Sequence, residues 1–177
     1  MLRITLDMDD VLADTHGKLI DYVLNEFDTH YLYEDFRKTP IKELLHPKQF
    51  KKMYTYIHQS GFFKDIPVME GAQETVQELS QYYEIFVATA ALEFPNSFRE
   101  KYDWLQSNFP DIAWKNIVFC GDKSIISSDF LIDDHVKNML SFTGKGILYS
   151  APHNMEETAY PRVANWREIR EMFLPKE

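Results

Sequence analysis

The stretch 84–90 constrains the fold more than any other part of the chain. Ile85, Phe86, Val87 and Ala88 follow one another without a polar break and lead into Thr89 and Ala90. A strand with one wet face alternates apolar and polar residues, whereas one covered on both faces reads as a near-continuous apolar run. Such a strand belongs inside a parallel sheet. Shorter runs of the same character at 2–6, 116–120, 129–133 and 145–149 bring the expected strands to five. Helical patterns separate them. Val76, Leu79 and Tyr83 share one face of a helix opened by Gly71. Phe98, Tyr102, Leu105 and Phe109 mark another after Pro95 and Asn96. Asn165 with Glu168 three residues on is an N-cap signature for a last helix carrying Trp166, Ile169 and Phe173.

One stretch breaks this alternation. A helix starting within the acidic motif at 7–10 carries Leu12, His16, Leu19, Ile20, Val23 and Phe27 on its spacing. From 28 to 69 the chain is then rich in aromatics and interrupted by Pro40, Pro47 and Gly61. Phe50, Met53, Tyr54 and Ile57 mark one short amphipathic helix there. The expected architecture is α/β: a Rossmann-like three-layer parallel sheet with a small helical cap inserted after strand 1. Residues 1–13 and 70–177 form the core and 14–69 the cap.

Bulk properties exclude several function classes. The formal net charge is −9 and the pI is near 5.1, which argues against a nucleic acid polymer as partner. Cys120 is the single cysteine, so no internal disulfide forms, and a reducing, cytoplasmic setting fits. No apolar run reaches membrane length. The aromatic cap offers a face for a homodimer, though no residue pattern specifies one.

In open parallel sheets, ligands bind beyond the carboxyl ends of the strands. Strand one ends in Asp7-Met8-Asp9-Asp10, where alternation sends Asp7 and Asp9 the same way. Strand two ends in Thr89 and Ala90. The loop after strand three holds Gly121, Asp122 and Lys123, and strand four ends in Asp133 and Asp134. Taken singly, Thr89 is an ordinary β-branched strand residue and Lys123 an ordinary loop charge. Adjacent acids after an apolar strand are harder to explain without a partner. Together, carboxylates for Mg²⁺ with a hydroxyl and an ammonium for phosphate oxygens match phosphoryl transfer.

The segment from Asp7 to Asp14 resembles the first motif of the haloacid dehalogenase-like (HAD) phosphohydrolases. Thr89, Lys123 and Asp133-Asp134 match that superfamily's second, third and fourth motifs in order. Stretches 62–72, 100–105 and 122–134 are similar to the 5′(3′)-deoxyribonucleotidases. This resemblance implies Asp7 as nucleophile and Asp9 as general acid and base. It implies Mg²⁺ held by Asp7, the Asp9 carbonyl and Asp134, with Asp133 supporting nearby. Thr89, Lys123 and the amides of Asp10 and Ala90 would hold the phosphoryl oxygens, and the substrate would be a deoxynucleoside monophosphate.

Some positions depart from that pattern. Asp10 stands where the eukaryotic members usually carry glycine, Ala90 where a serine-type residue is usual, and Gly121 where an arginine can occur. The tryptophan-containing cap cluster is replaced by phenylalanines and tyrosines, most of which read as cap core. A phosphatase for another small phosphomonoester therefore stays open. A phospho-receiver signalling domain is disfavoured by the order of the parts. Among the histidines only His135, beside Asp134, is expected near the phosphate; His16, His30, His46, His58 and His153 show no metal-site spacing.

Overall fold

The computed structural model describes residues 1–175. Strand β1 (Arg3–Leu6) is followed by helices α1 (Thr15–Glu26), α2 (Tyr33–Lys38), α3 (Ile41–Leu44) and α4 (Pro47–Ile57). Then come α5 (Ala72–Leu79), β2 (Glu84–Thr89), α6 (Phe98–Asn108), β3 (Ile117–Phe119), β4 (Phe130–Asp133), β5 (Lys145–Tyr149), β6 (Arg162–Val163) and α7 (Trp166–Phe173). The six strands form one sheet in the order β3-β2-β1-β4-β5-β6, and every pairing is parallel. This is the expected parallel α/β sheet, with an edge strand that two residues of sequence could not announce.

Strand order reverses at β1. The chain runs outward through β2 and β3, then returns to place β4 on the other side of β1. Splaying connections there open a crevice at the strands' carboxyl ends. Below it, Ile4, Leu6, Ile85, Val87, Ile132 and Ile147 join α5, α6 and α7 in the main core, which also includes buried Trp104 and Trp166. The Trp166 indole N–H donates to the Val11 carbonyl at 2.8 Å, so this buried ring is polar-satisfied and ties the last helix to the first loop. Alternate residues Leu131 and Leu148 face the other way, against Met139 and Phe142. Around β4 and β5 that covering layer is loop and 3₁₀ turn.

The first helix begins later than the periodicity suggests. Leu12 and Ala13 amides both donate to the Met8 carbonyl, at 2.9 Å each, which makes 8–13 a tight turn and delays α1 to Thr15. Asp14 caps it, accepting from the Gly17 amide at 3.0 Å. Three helices, α2 to α4, stand where one was expected. The extra two are only six and four residues long, too short for periodicity to report. Ile20, Val23, Phe36, Ile41, Leu45 and Met53 give α1 to α4 a small core of their own. At the insertion's neck the Asp14 amide donates to the Pro67 carbonyl and the Met69 amide to the Leu12 carbonyl, both at 2.8 Å. Phe62, Phe63 and Ile66 pack with the main core instead. Among the described residues no helix is long and apolar enough to cross a membrane.

Candidate active site

The site begins with an extra rung on the sheet. The Asp7 amide donates to the Ile132 carbonyl at 2.9 Å, which extends the β1–β4 ladder past Leu6 and brings Asp7 beside the end of β4. Met8 is fully buried, so alternation leaves Asp7 and Asp9 facing the crevice. A cleft of about 230 Å³ opens there, with Asp7, Asp9, Asp10, Ala90, Lys123 and Asp134 among its lining residues. Thr89 and Asp133 are fully buried and lie outside that lining.

Lys123 is the electrostatic centre of the floor. It starts a 3₁₀ turn capped by Asp122, whose side chain accepts from the Ser124 amide at 2.8 Å. Its buried ammonium contacts Asp7 Oδ1 and Asp133 Oδ2, each at 2.7 Å. Burial alone would lower the Lys123 pKa, but Asp7 and Asp133 outweigh it and raise the value. Burial pushes the Asp7 carboxyl well above its ordinary range. Lys123 pulls it back, while Asp133, Asp134 and Asp9 push further upward. One ammonium does not balance three clustered carboxylates.

Where a cation would sit follows from which oxygens are already taken. Asp133 accepts from Lys123, from the His135 amide at 2.8 Å, and from Asn138 Nδ2 at 2.9 and 3.0 Å. Both its oxygens are engaged, so it orients Lys123 and stands beside Asp7 and Asp134 as a supporting carboxylate. Asp134 contrasts with it. Its Oδ1 is buried and has no hydrogen-bond partner among the described residues. Asp7, Asp133 and Asp134 each bring a carboxylate oxygen within 4.8 Å of the others. A buried, unpaired carboxylate oxygen beside a second carboxylate fits a hard divalent cation. Burial raises the Asp134 pKa, but His153, His135 and Lys123 reverse that and leave it lowered, so this carboxylate stays ionised.

Asp9 is held from two sides. The Thr15 hydroxyl donates to Oδ1 at 2.8 Å, and the Lys101 ammonium contacts Oδ2. Lys101 also donates to Thr89 Oγ1 at 2.9 Å and lies over the Phe63 ring. Lys101 was not among the residues the sequence nominated. The apolar face read for its helix, with Phe98, Tyr102, Leu105 and Phe109, is rotated from the true one. Glu100, Lys101, Trp104 and Leu105 are buried, whereas Tyr102 is exposed. Two charges at buried positions contribute nothing to a hydrophobic pattern. Their spacing from Trp104 and Leu105 was the available signal. Glu100 itself accepts from the Gly61 and Phe63 amides at 2.5 and 3.1 Å, which sets Phe63 on the cleft wall with Ile57 and Phe94.

Asp10 also departs from expectation. It adopts a left-handed backbone, with φ 59°, unusual for a residue with a side chain. Its amide donates to the Ala13 carbonyl at 2.8 Å inside the turn, so the phosphate contact expected of that N–H is not what it makes here. Its carboxylate accepts from the His16 amide at 2.6 Å, at the start of α1. His153, set aside on spacing, reaches the site as well. It lies 3.2 Å from Asp134 Oδ2 and stacks on His135 with ring centroids 4.3 Å apart.

Comparisons with known proteins report the family and the fold. A family model described as 5′ nucleotidase, deoxy (Pyrimidine), cytosolic type C protein matches residues 1–176. The 5′(3′)-deoxyribonucleotidase of Bacillus subtilis strain 168 is 38% identical over 172 residues, covering 97% of this chain and 98% of that one. A Staphylococcus epidermidis protein given the same name provisionally is 39% identical over 171 residues, covering 97% and 95%. Among solved structures, a HAD family hydrolase from Deinococcus radiodurans R1 superposes with a TM-score of 0.64 at 15% identity, covering 98% of each chain. A haloacid dehalogenase-like hydrolase from Streptococcus pneumoniae gives 0.60 at 13%, again covering 98% of each. These two report the fold.

Proposed function

The chain belongs to the deoxypyrimidine 5′-nucleotidase family whose model it matches over residues 1–176, and we propose that it dephosphorylates deoxynucleoside monophosphates through a covalent intermediate on Asp7. It is a phosphomonoester hydrolase. The observation that carries the mechanism is Asp7 on the cleft floor, paired with Lys123 at 2.7 Å beside Asp134, which keeps a buried oxygen without a partner among the described residues.

The steps follow from the residues. A carboxylate oxygen of Asp7 attacks phosphorus, and the phosphorus–ester oxygen bond breaks with its electron pair on the departing nucleoside oxygen. That oxygen takes a proton from Asp9. Water then attacks the aspartyl-phosphate, gives a proton to Asp9, and releases inorganic phosphate while the Asp7 carboxylate is restored. Thr15 and Lys101 hold Asp9 in place for both transfers. Lys123 and the Ala90 amide would be the phosphate-facing donors, with Thr89 buried behind them and accepting from Lys101, and Lys123 offsets the repulsion between carboxylate and phosphate dianion. Asp7 and Asp134, with the Asp9 carbonyl, would hold Mg²⁺, which supplies charge neutralisation of the phosphoryl oxygens. The Phe63 and Phe94 side chains and Ile57 offer an apolar wall to the nucleoside. The family's name and the single cysteine support a cytoplasmic setting.

The test is kcat/KM with Mg²⁺ for dUMP, dTMP, their ribose counterparts and sugar phosphates. The deoxynucleotides should lead. Equal turnover across the panel would reduce the reading to a general small-phosphomonoester phosphatase.

A further inference from the structure

We propose that Asp134, His135 and His153 form a second cation site at the cleft rim, one that takes a borderline transition ion such as Zn²⁺. Its three ligand atoms converge from two loops. His135 follows β4, and His153 sits in the 3₁₀ turn Pro152–Asn154 after β5. His153 Nε2 lies 3.2 Å and His135 Nε2 3.7 Å from Asp134 Oδ2, and the three donors lie within 4.8 Å of one another. Two ligands each about 2.0–2.1 Å from a tetrahedral zinc stand roughly 3.3 Å apart. The two spacings to Asp134 bracket that value. The imidazoles stand stacked, with ring centroids 4.3 Å apart and 21° between planes, so the exposed His135 ring must turn about its side-chain torsions for both lone pairs to meet one ion.

The donor set separates this site from the carboxylate floor. Imidazole nitrogens suit zinc, copper and nickel, while all-oxygen sets suit Mg²⁺. Asp134 turns Oδ2 toward the imidazoles and keeps Oδ1 without a partner among the described residues, so filling the imidazole site leaves an oxygen for the hard cation. The surrounding structure is already built. Asn154 Nδ2 donates to the Asp134 carbonyl at 2.7 Å and to the Tyr149 carbonyl at 2.8 Å, which locks the His153 turn against β4 and β5. Arg162 donates to Asn154 Oδ1 at 2.8 Å and fixes that amide in turn. Fixed supports of this kind orient ligands before the metal arrives. On binding, the ion takes the place of the Nε2 proton through which His153 contacts Asp134, with the ring proton kept on Nδ1.

This inference does not rest on the proposed reaction, and its test is binding. Metal-stripped protein is dialysed against Zn²⁺ with Mg²⁺ in large excess, and bound zinc is counted. Co²⁺ is used in parallel for its tetrahedral visible absorption. One zinc per chain, retained in Asp7→Asn and lost in His135→Ala, is the expected result. His153 also bonds the Asp134 backbone, so His153→Ala is a second loss whose fold is checked by circular dichroism. No zinc retained over Mg²⁺ overturns the proposal. So does zinc that survives His135→Ala but is lost in Asp7→Asn, since that ion would belong to the carboxylate floor.

Discussion

Lys101 and Asp9 stand 92 residues apart in sequence, and the lysine ammonium contacts the aspartate carboxylate inside the cleft. The same ammonium bonds Thr89 Oγ1, so one buried side chain from α6 joins the ends of β1 and β2. Lys101→Met removes a charge-assisted bond of about 1.5–3 kcal/mol. Asp9 then loses one of its two anchors. We expect kcat to fall about ten- to a hundredfold with KM much less affected and circular dichroism unchanged. A kcat within twofold of the parent would remove Lys101 from the mechanism.

Asp7→Asn keeps the side chain's shape and removes its nucleophilicity. Turnover should drop to background, and acid-quenched protein should carry no phosphate from labelled substrate, whereas the parent carries it on Asp7. Labelling that persists in the variant would place the intermediate elsewhere.

Lys123→Met leaves Asp7 and Asp133 buried without their shared ammonium. Removing one partner of a buried ion pair costs about 3–5 kcal/mol. The raised Lys123 pKa means its contribution is fully present below the ordinary lysine value and is lost only as pH rises past the raised one. In metal-free protein at neutral pH the variant should therefore melt well below the parent. The gap should narrow as pH falls, because Asp7, whose pKa burial raises, then takes up a proton. A gap that does not change with pH would show that Lys123 acts by packing alone.

Asp10→Asn tests the residue with the left-handed backbone. Burial raises the Asp10 carboxyl well above its ordinary range, and Asp134 and Asp9 add to this against the His16 amide. A carboxylate whose folded pKa is raised weakens the fold wherever it is ionised; that penalty shrinks as pH falls below the raised value and is gone only below the ordinary carboxylate value. Asparagine tolerates positive φ and still accepts from His16. Tm should rise at neutral pH, by about 2–4 °C for each kcal/mol recovered. The difference should shrink as pH falls and vanish only below the ordinary carboxylate value. A lower Tm at neutral pH would mean that the ionised carboxylate supports the turn.

Chelation gives an independent check on the floor. With EDTA, turnover should stop and return on adding Mg²⁺, because Asp7 and Asp134 would otherwise face each other with too little positive charge between them. Full activity after exhaustive chelation would count against the cation site.

By itself, the sequence determined the parallel sheet and the acidic ends of β1 and β4. Both are written locally: apolar runs report strands covered on two faces, and their last residues lie at the open edge whatever the packing. The final helix's Asn165 cap was legible for the same reason, its bond to the Glu168 amide spanning three residues at 3.0 Å. Only the tertiary structure decided how those carboxylates divide their work. Asp133 and Asp134 are adjacent, yet one is surrounded by donors and the other keeps an oxygen that no described residue contacts by a hydrogen bond. Lys101 and His153 were hidden because their partners come from other strands. Hydrophobic periodicity records where apolar side chains go, whereas a buried charge is placed by what it meets across the fold.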